Sequence, residues 1–251
     1  MRIGVSSARR GVLLLASGLA LACGGTRADD GARRAEAGST KGSRSAPDDS
    51  GAGRASAPAS APQRAVLFVG TSLTAGLGLD PDSAYPQLIQ RKIDSAGLGF
   101  EVTNAGVSGE TTSGLLRRLD WLLRGTFDVI VIETGANDGL RGTPVATVER
   151  NLREIVTRVR AARPEARVLL VQMEAPPNLG PRYTAAFRDM YPAIARGAGA
   201  TLLPFLLDGV AGVRALNQND GIHPNQRGEH IVAENVWRGL APVLEEMARG
   251  S

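Results

Sequence analysis

The sequence predicts an α/β domain built on a parallel sheet with helices on both faces. Short β-branched runs alternate strictly with amphipathic stretches from residue 65 onward. The connections between them are short. One run, Val129-Ile-Val-Ile132, is continuously apolar, as suits a strand covered on both sides.

Each element has its own signal. Ala65 to Val69 is a buried strand, and Tyr85 to Ser95, after Pro81, is a helix. Phe100 to Thr103 is a second strand. Thr111 to Leu123 is a helix with Leu115, Leu116, Leu119, Leu122 and Leu123 on one face. Asp128 to Glu133 is the most apolar strand and is expected at the sheet centre. Residues 144–162 form an amphipathic helix, because Val145, Val148, Leu152, Ile155, Val156 and Val159 recur at helical spacing. Pro144 suits its first turn. Arg167 to Gln172 is the fourth strand. Thr184 to Arg196 is a helix expected to be disturbed at Pro192. Ala200 to Leu203 is a fifth strand. Gln226 to Met247 closes the domain as a helix, with Ile231, Val232, Val236, Leu240, Val243 and Leu244 inward. Five such repeats imply right-handed crossovers and a ligand site at the carboxyl ends of the strands.

The domain is expected to occupy residues 64–251. Residues 1–22 read as an export signal: Arg9-Arg10 precede an apolar stretch, Val12 to Ala22, too short to span a bilayer. That stretch runs Leu19-Ala-Leu-Ala-Cys23-Gly-Gly and resembles the bacterial lipoprotein cleavage site, although Ala20 stands where Leu is commonest. The resemblance implies a lipid on Cys23, which would hold the protein to a membrane surface without spanning it. The expected location is therefore outside the cytoplasm, anchored and facing the periplasm. An ordinary cleaved signal, giving a periplasmic or secreted chain, is the alternative. Residues 23–63 are mostly Gly, Ala, Ser, Arg, Asp and Pro, the composition of a disordered linker.

Composition excludes several functions. The whole chain carries 29 basic and 25 acidic residues, but residues 64–251 hold 20 of each. A neutral domain with 4% aromatic residues has neither the charge stripe nor the stacking surface of a nucleic-acid binder. Arg117, Arg118 and Arg124 read as the polar face of a helix. One cysteine excludes an intrachain disulfide, a cysteine zinc site and a redox pair. The two histidines, His223 and His230, do not fall in a His-Glu-X-X-His spacing.

Four polar, glycine-containing clusters fall at strand ends: Gly70 to Gly76, Asn104 to Thr111, Thr134 to Gly139, and Asn219 to Asn225. Acyl transfer needs a nucleophile, a base and donors for an oxyanion. Ser72 lies just past a buried strand on a glycine-flanked turn. Asp220 and His223 are three apart, a spacing that lets the carboxylate orient the imidazole. Asn137 can donate a side-chain N–H. Gly109 can donate a backbone N–H from a loop where a side chain would block approach. With the N–H of Ser72 these make three donors. Taken singly each cluster has a plainer reading: Ser72 as a helix cap, Asn137 and Asp138 as turn formers, Asp220 to Pro224 as a surface turn. His230 has no acid in register except Glu229 beside it and reads as structural. The four clusters in this order, all at strand ends, favour the catalytic reading.

These blocks resemble the SGNH (GDSL) hydrolase superfamily, in its bacterial thioesterase, lysophospholipase and arylesterase branch. The resemblance covers residues 64–247. Gly70-Thr-Ser-Leu73 matches the first block, Asn104 to Thr111 the second, Gly135-Ala-Asn-Asp-Gly-Leu-Arg-Gly142 the third, and Asp220-Gly-Ile-His-Pro-Asn225 the fifth. It implies a flavodoxin-like three-layer α/β/α sandwich with five parallel strands. It also implies Ser72 as nucleophile, Asp220 and His223 as acid and base, and an oxyanion hole of Ser72, Gly109 and Asn137. No metal or cofactor is implied, and the partner is a small-molecule or lipid ester. Thr71 departs from the family's usual Asp, which puts the role of that position in doubt. Met173 to Tyr183 resembles the branch's mobile substrate-facing loop; a Pro-stiffened connection is the alternative. Two rival functions remain at this point: an O-acetyl esterase of carbohydrate or peptidoglycan, and a lipid-anchored binding protein without chemistry.

Overall fold

The computed structural model describes residues 64–250; Cys23, the export signal and the tract to residue 63 lie outside the described residues. Five strands lead the architecture: β1 (Arg64–Gly70), β2 (Phe100–Gly106), β3 (Val129–Ile132), β4 (Arg167–Gln172) and β5 (Thr201–Phe205). They form one parallel sheet in the order β2-β1-β3-β4-β5. This is the flavodoxin-like order, with β3 at its centre.

Helices fill the crossovers: α1 (Ser72–Ala75), α2 (Tyr85–Ser95), α3 (Thr112–Leu122), α4 (Ala136–Leu140), α5 (Val145–Ala162), α6 (Pro181–Ala198) and α7 (Gln226–Arg249). Right-handed crossovers put α2 and α7 on one face, packed together, and α3, α5 and α6 on the other. The core lies on both sides of the sheet. Val66 to Val69 and Val129 to Ile132 are almost wholly buried, which is why these strands carry no polar alternation.

Several details differ from the sequence expectation: β2 runs past Thr103 to Gly106, α6 begins at Pro181 and not at Thr184, the short helices α1 and α4 are added, and two differences involve proline. The helix α6 runs unbroken through Pro192. Phe187, Met190, Tyr191, Ile194 and Ala195 are buried around it, and that packing outweighs the lost backbone bond, a cost of about 3 kcal/mol. β5 extends past Leu203 to include Pro204, which an edge strand tolerates because one side of its ladder is open.

The first turn of α2 has no side-chain cap of its own, since Ala84 occupies that position. Glu229, in the first turn of α7, supplies the acceptor: the Tyr85 N–H donates to its Oε2 at 2.8 Å. A buried carboxyl group thus ties the two helices of one layer. Burial raises the Glu229 pKa to about 8, opposed by that N–H. The folded value lies above the unfolded one, so the stabilisation is complete below pH 4.5 and is lost as pH rises through 8. Chemical denaturation followed between pH 5 and 9 should show stability falling over this window. Glu229→Gln, which keeps the acceptor and cannot ionise, should flatten the profile.

Candidate active site

The chain leaves β1 toward β2 on one side, while β3 on its other side is continued toward β4. The ends of these two neighbouring strands therefore open into a crevice at the switch of strand order. Ser72 sits there as the first residue of α1 and is nearly buried. Thr71 is the cap of this short helix, and Gly76 ends it in a left-handed conformation. Gly70 must be glycine: a Cβ there would collide with the Thr74 hydroxyl and with Glu133.

His223 comes from the loop between β5 and α7. Its Nε2 lies 2.8 Å from Ser72 Oγ, and its Nδ1 lies 2.7 Å from Asp220 Oδ2. Asp220 Oδ1 accepts the backbone N–H groups of Ile222 and His223 at 3.0 and 3.1 Å. The carboxylate is thus fixed on both oxygens. The imidazole bond, then the two N–H groups, hold the Asp220 pKa down to about 2. An ionised Asp220 favours the tautomer with a proton on Nδ1, which leaves Nε2 to accept from the Ser72 hydroxyl.

This loop is secured by a residue that sequence reasoning did not single out. The Gln218 N–H donates to the His223 carbonyl at 2.7 Å. The Gln218 side chain donates to the Pro224 carbonyl at 2.9 Å and to the Leu77 carbonyl at 2.7 Å. The last bond joins the histidine loop to the segment after the serine. Asn225 then caps α7, accepting from Arg227 and Gly228.

Gly109 and Asn137 line the same cavity as Ser72 and His223. Gly109 has φ +76°, and a Cβ added to it would meet open space. Glycine is required there by its left-handed backbone, in addition to the open approach expected from the sequence. Asn137 donates one N–H to the Glu110 carbonyl at 3.0 Å, which leaves its second amide hydrogen. The loop between β2 and α3 is clamped: Arg118 makes a two-pronged bond to Glu110 at 2.7 and 2.6 Å and also donates to the Ala105 carbonyl. Arg141 donates to the Gly109 carbonyl at 3.1 Å. Arg118 is therefore a strut inside the site, not merely part of a polar helix face. Asp138, expected at most as a turn former, is buried and accepts both the N–H and hydroxyl of Thr112 at 2.8 Å.

The position that departs from the family pattern also gains a partner. Thr71 turns inward and donates its hydroxyl to Glu133, whose Oε2 also accepts the Thr71 N–H at 2.8 Å and the Thr74 hydroxyl at 2.9 Å. Thr74 in turn shares a hydrogen with the Tyr85 hydroxyl at 2.8 Å. Glu133 is fully buried; burial raises its pKa, and these donors oppose the rise. His230 is exposed on α7, away from this network, beside a groove with Trp237. Among the described residues no group of three His, Cys, Asp or Glu side chains is placed to hold a metal.

The cavity beside Ser72 measures about 510 Å³. Its walls are mainly apolar, with Leu73, Leu77, Leu140, Met173, Phe205 and Ile222 among them. Residues 173–177 line it too, so this connection does face the site. A hydroxyl, an imidazole and a carboxylate in a row, with N–H donors around one apolar cavity, define a site of the nucleophilic acyl-transfer class.

The chain belongs to the GDSL-like Lipase/Acylhydrolase family, which it matches over residues 68–231. It is 42% identical to Esterase TesA of Pseudomonas aeruginosa over 71% of this chain and 89% of that protein. It is 37% identical to Thioesterase 1/protease 1/lysophospholipase L1 of Escherichia coli over 71% of this chain and 84% of that one. Among solved structures it resembles the psychrotrophic esterase EstA of Pseudoalteromonas, inhibited by monoethylphosphonate. There the identity is 36% and the TM-score 0.68, covering 72% of this chain and 99% of that one. The chain is an ester-hydrolysing enzyme.

The struts can be tested apart from the reacting groups. Glu133→Ala leaves the buried Thr71 N–H without an acceptor and should cost roughly 2–4 kcal/mol in denaturant unfolding. Arg118→Lys keeps the charge but loses the fork, and should lower kcat more than it raises KM. An unchanged kcat would show that the Gly109 loop holds its shape without the clamp.

Proposed function

We propose that the enzyme hydrolyses carboxylic esters and thioesters of acyl chains through an acyl-enzyme on Ser72. What carries this reading is the row Ser72–His223–Asp220, with links of 2.8 and 2.7 Å, at the wall of an apolar cavity. Ser72 Oγ attacks the ester carbonyl as its proton passes to His223 Nε2. Asp220 stays ionised and stabilises the imidazolium. The negative oxygen of the tetrahedral intermediate is held by the N–H groups of Ser72 and Gly109 and by the Asn137 amide. As the first residue of α1, Ser72 has no intrahelical acceptor for its N–H, which suits that role. The intermediate collapses, His223 protonates the leaving alcohol or thiol, and an acyl-serine remains. Water then attacks the acyl carbon as its proton passes to His223; the second tetrahedral intermediate collapses by breaking the bond to Ser72 Oγ, which takes that proton back from His223 Nε2, and the acid leaves.

The apolar walls favour acyl chains over acetylated sugars, whose hydroxyls would call for polar partners in the cavity. The volume lies within the range of pockets that enclose a ligand of moderate size, about 300–1,000 Å³. The names of the relatives, an esterase and a thioesterase/lysophospholipase, agree with an acyl-chain substrate. We further propose that the mature protein starts at a lipidated Cys23 and works outside the cytoplasm; the layout of residues 1–25 supports this.

Ser72→Ala should lower ester turnover by roughly a thousandfold or more with unfolding unchanged. Hydrolysis of p-nitrophenyl butyrate at the parent rate would reject Ser72 as the nucleophile. Asn137→Ala should cost about 3 kcal/mol of transition-state stabilisation, read as kcat. Across a series of p-nitrophenyl esters, kcat/KM should rise from acetate to medium chains; a preference for acetate, with release of acetate from acetylated polysaccharide, would favour the sugar esterase. Mass spectrometry of the mature N-terminus should find a modified Cys23, and an unmodified start elsewhere would remove the anchor.

A further inference from the structure

Among the described residues, six large apolar side chains are between 42% and 67% exposed. Scattered exposed apolar groups are ordinary; a gathering of them is informative. Five of the six gather at the carboxyl end of the sheet. Leu77, Leu140 and Ile222 line the mouth of the catalytic cavity. Val107 follows β2, and its N–H donates to the Gly70 carbonyl beside the serine turn. Val213 follows Gly212, which lines the cavity. Trp121, near the end of α3, is the exception. The five come from four separate connections, those after β1, β2, β3 and β5, so no single helix face or loop accounts for them. Packing within the domain does not account for them either, since each is exposed.

We propose that this rim is a docking surface for a lipid aggregate, a bilayer or micelle that presents the ester to the cavity. The inference rests on the acyl-ester reading and adds where the substrate is taken from. The rim is continuous with the apolar wall of the cavity, so an acyl chain can pass from one to the other. Were the rim polar, the chain would cross water on the way, at the full cost of exposing its methylenes. Pressed on a lipid surface, the rim removes that gap. Charge fits the same partner. Arg141 and Arg214 are exposed and adjoin Leu140 and Val213, where cations meet anionic headgroups. The exposed acids on the connections at this end are Asp80, Asp82 and Asp208, Glu174 at the mouth, and Asp220, whose charge is taken up by His223 and two N–H groups. A lipid on Cys23 would only keep the domain near a membrane; the rim would orient the cavity toward it.

The test uses the mature chain from residue 24 onward, which carries neither the apolar export signal nor Cys23. Val107 and Val213 touch no reacting group, so Val107→Ser/Val213→Ser should hydrolyse soluble p-nitrophenyl acetate within twofold of the parent. Toward p-nitrophenyl palmitate carried in phosphatidylcholine/phosphatidylglycerol vesicles, it should be at least tenfold slower. A second variant, Val213→Ser/Arg214→Ser, samples one side of the mouth alone and guards against a local folding fault near Val107. With Ser72→Ala added to stop hydrolysis, the parent should sediment with the vesicles and both variants should remain in solution. The proposal fails if the parent does not sediment, or if the variants match it on vesicle-borne ester. It also fails if light scattering shows the parent as a dimer that the variants split, since a second copy would then be what covers the rim. Failure of the parent to cleave soluble acetate ester would count instead against the Ser72 reading.

Discussion

The turn that carries Ser72 depends on one buried acidic side chain. Glu133 stands at the end of the central strand, out of reach of water, and accepts from one N–H and two hydroxyls of the turn that carries Ser72. A buried carboxylate with no partners would be expelled or neutralised. The turn with no acceptor beneath it would leave the Thr71 N–H orphaned. Each solves the other's problem, and only a narrow geometry does so. Gly70 is part of the same solution, because any side chain there would occupy the space of the Thr74 hydroxyl.

The site divides its tasks between rigid and exposed parts. Ser72 is fixed from below by the sheet. Asp220 and His223 lie on a loop with solvent beside it, and backbone bonds to Asp220 and Gln218 hold their shape. Gln218 reaches across to the Leu77 carbonyl, so the histidine loop is referenced to the serine segment and not only to its own turn. The Gly109 loop is held by Arg118 and Arg141. Several charge-assisted bonds thus set a few distances near 3 Å, on which the proposed proton transfer depends.

Much of this was legible in the chain. Apolar strands such as Val129 to Ile132 announced themselves because burial on both faces leaves no room for polar alternation. The four glycine-containing clusters marked the strand ends. The short helices α1 and α4 were not legible: four and five residues cannot show a helical period. Nor were Glu133, Glu110 and Gln218. A single charged residue looks alike in sequence whether it faces water or a buried turn, and only the register β1 against β3 brings Glu133 beneath Thr71. A signal did exist, since an acid directly after four buried apolar residues is unusual and asks for a buried partner. Gly109 was legible only as a place where a side chain would block approach; its left-handed backbone was not, because φ cannot be read from neighbours in sequence.

The same register explains how threonine can stand where the family usually has aspartate. A carboxylate at position 71 would lie within hydrogen-bonding distance of Glu133, and two buried acids that close cannot both ionise. One would have to keep its proton and donate it to the other. Threonine supplies a permanent hydroxyl hydrogen in that place, at any pH, while its N–H continues to bind Glu133. What the substitution removes is a titratable group; what it keeps is the donor. The geometry of the serine turn therefore needs a hydrogen at position 71 directed to the carboxylate below, and a negative charge there is not part of that requirement.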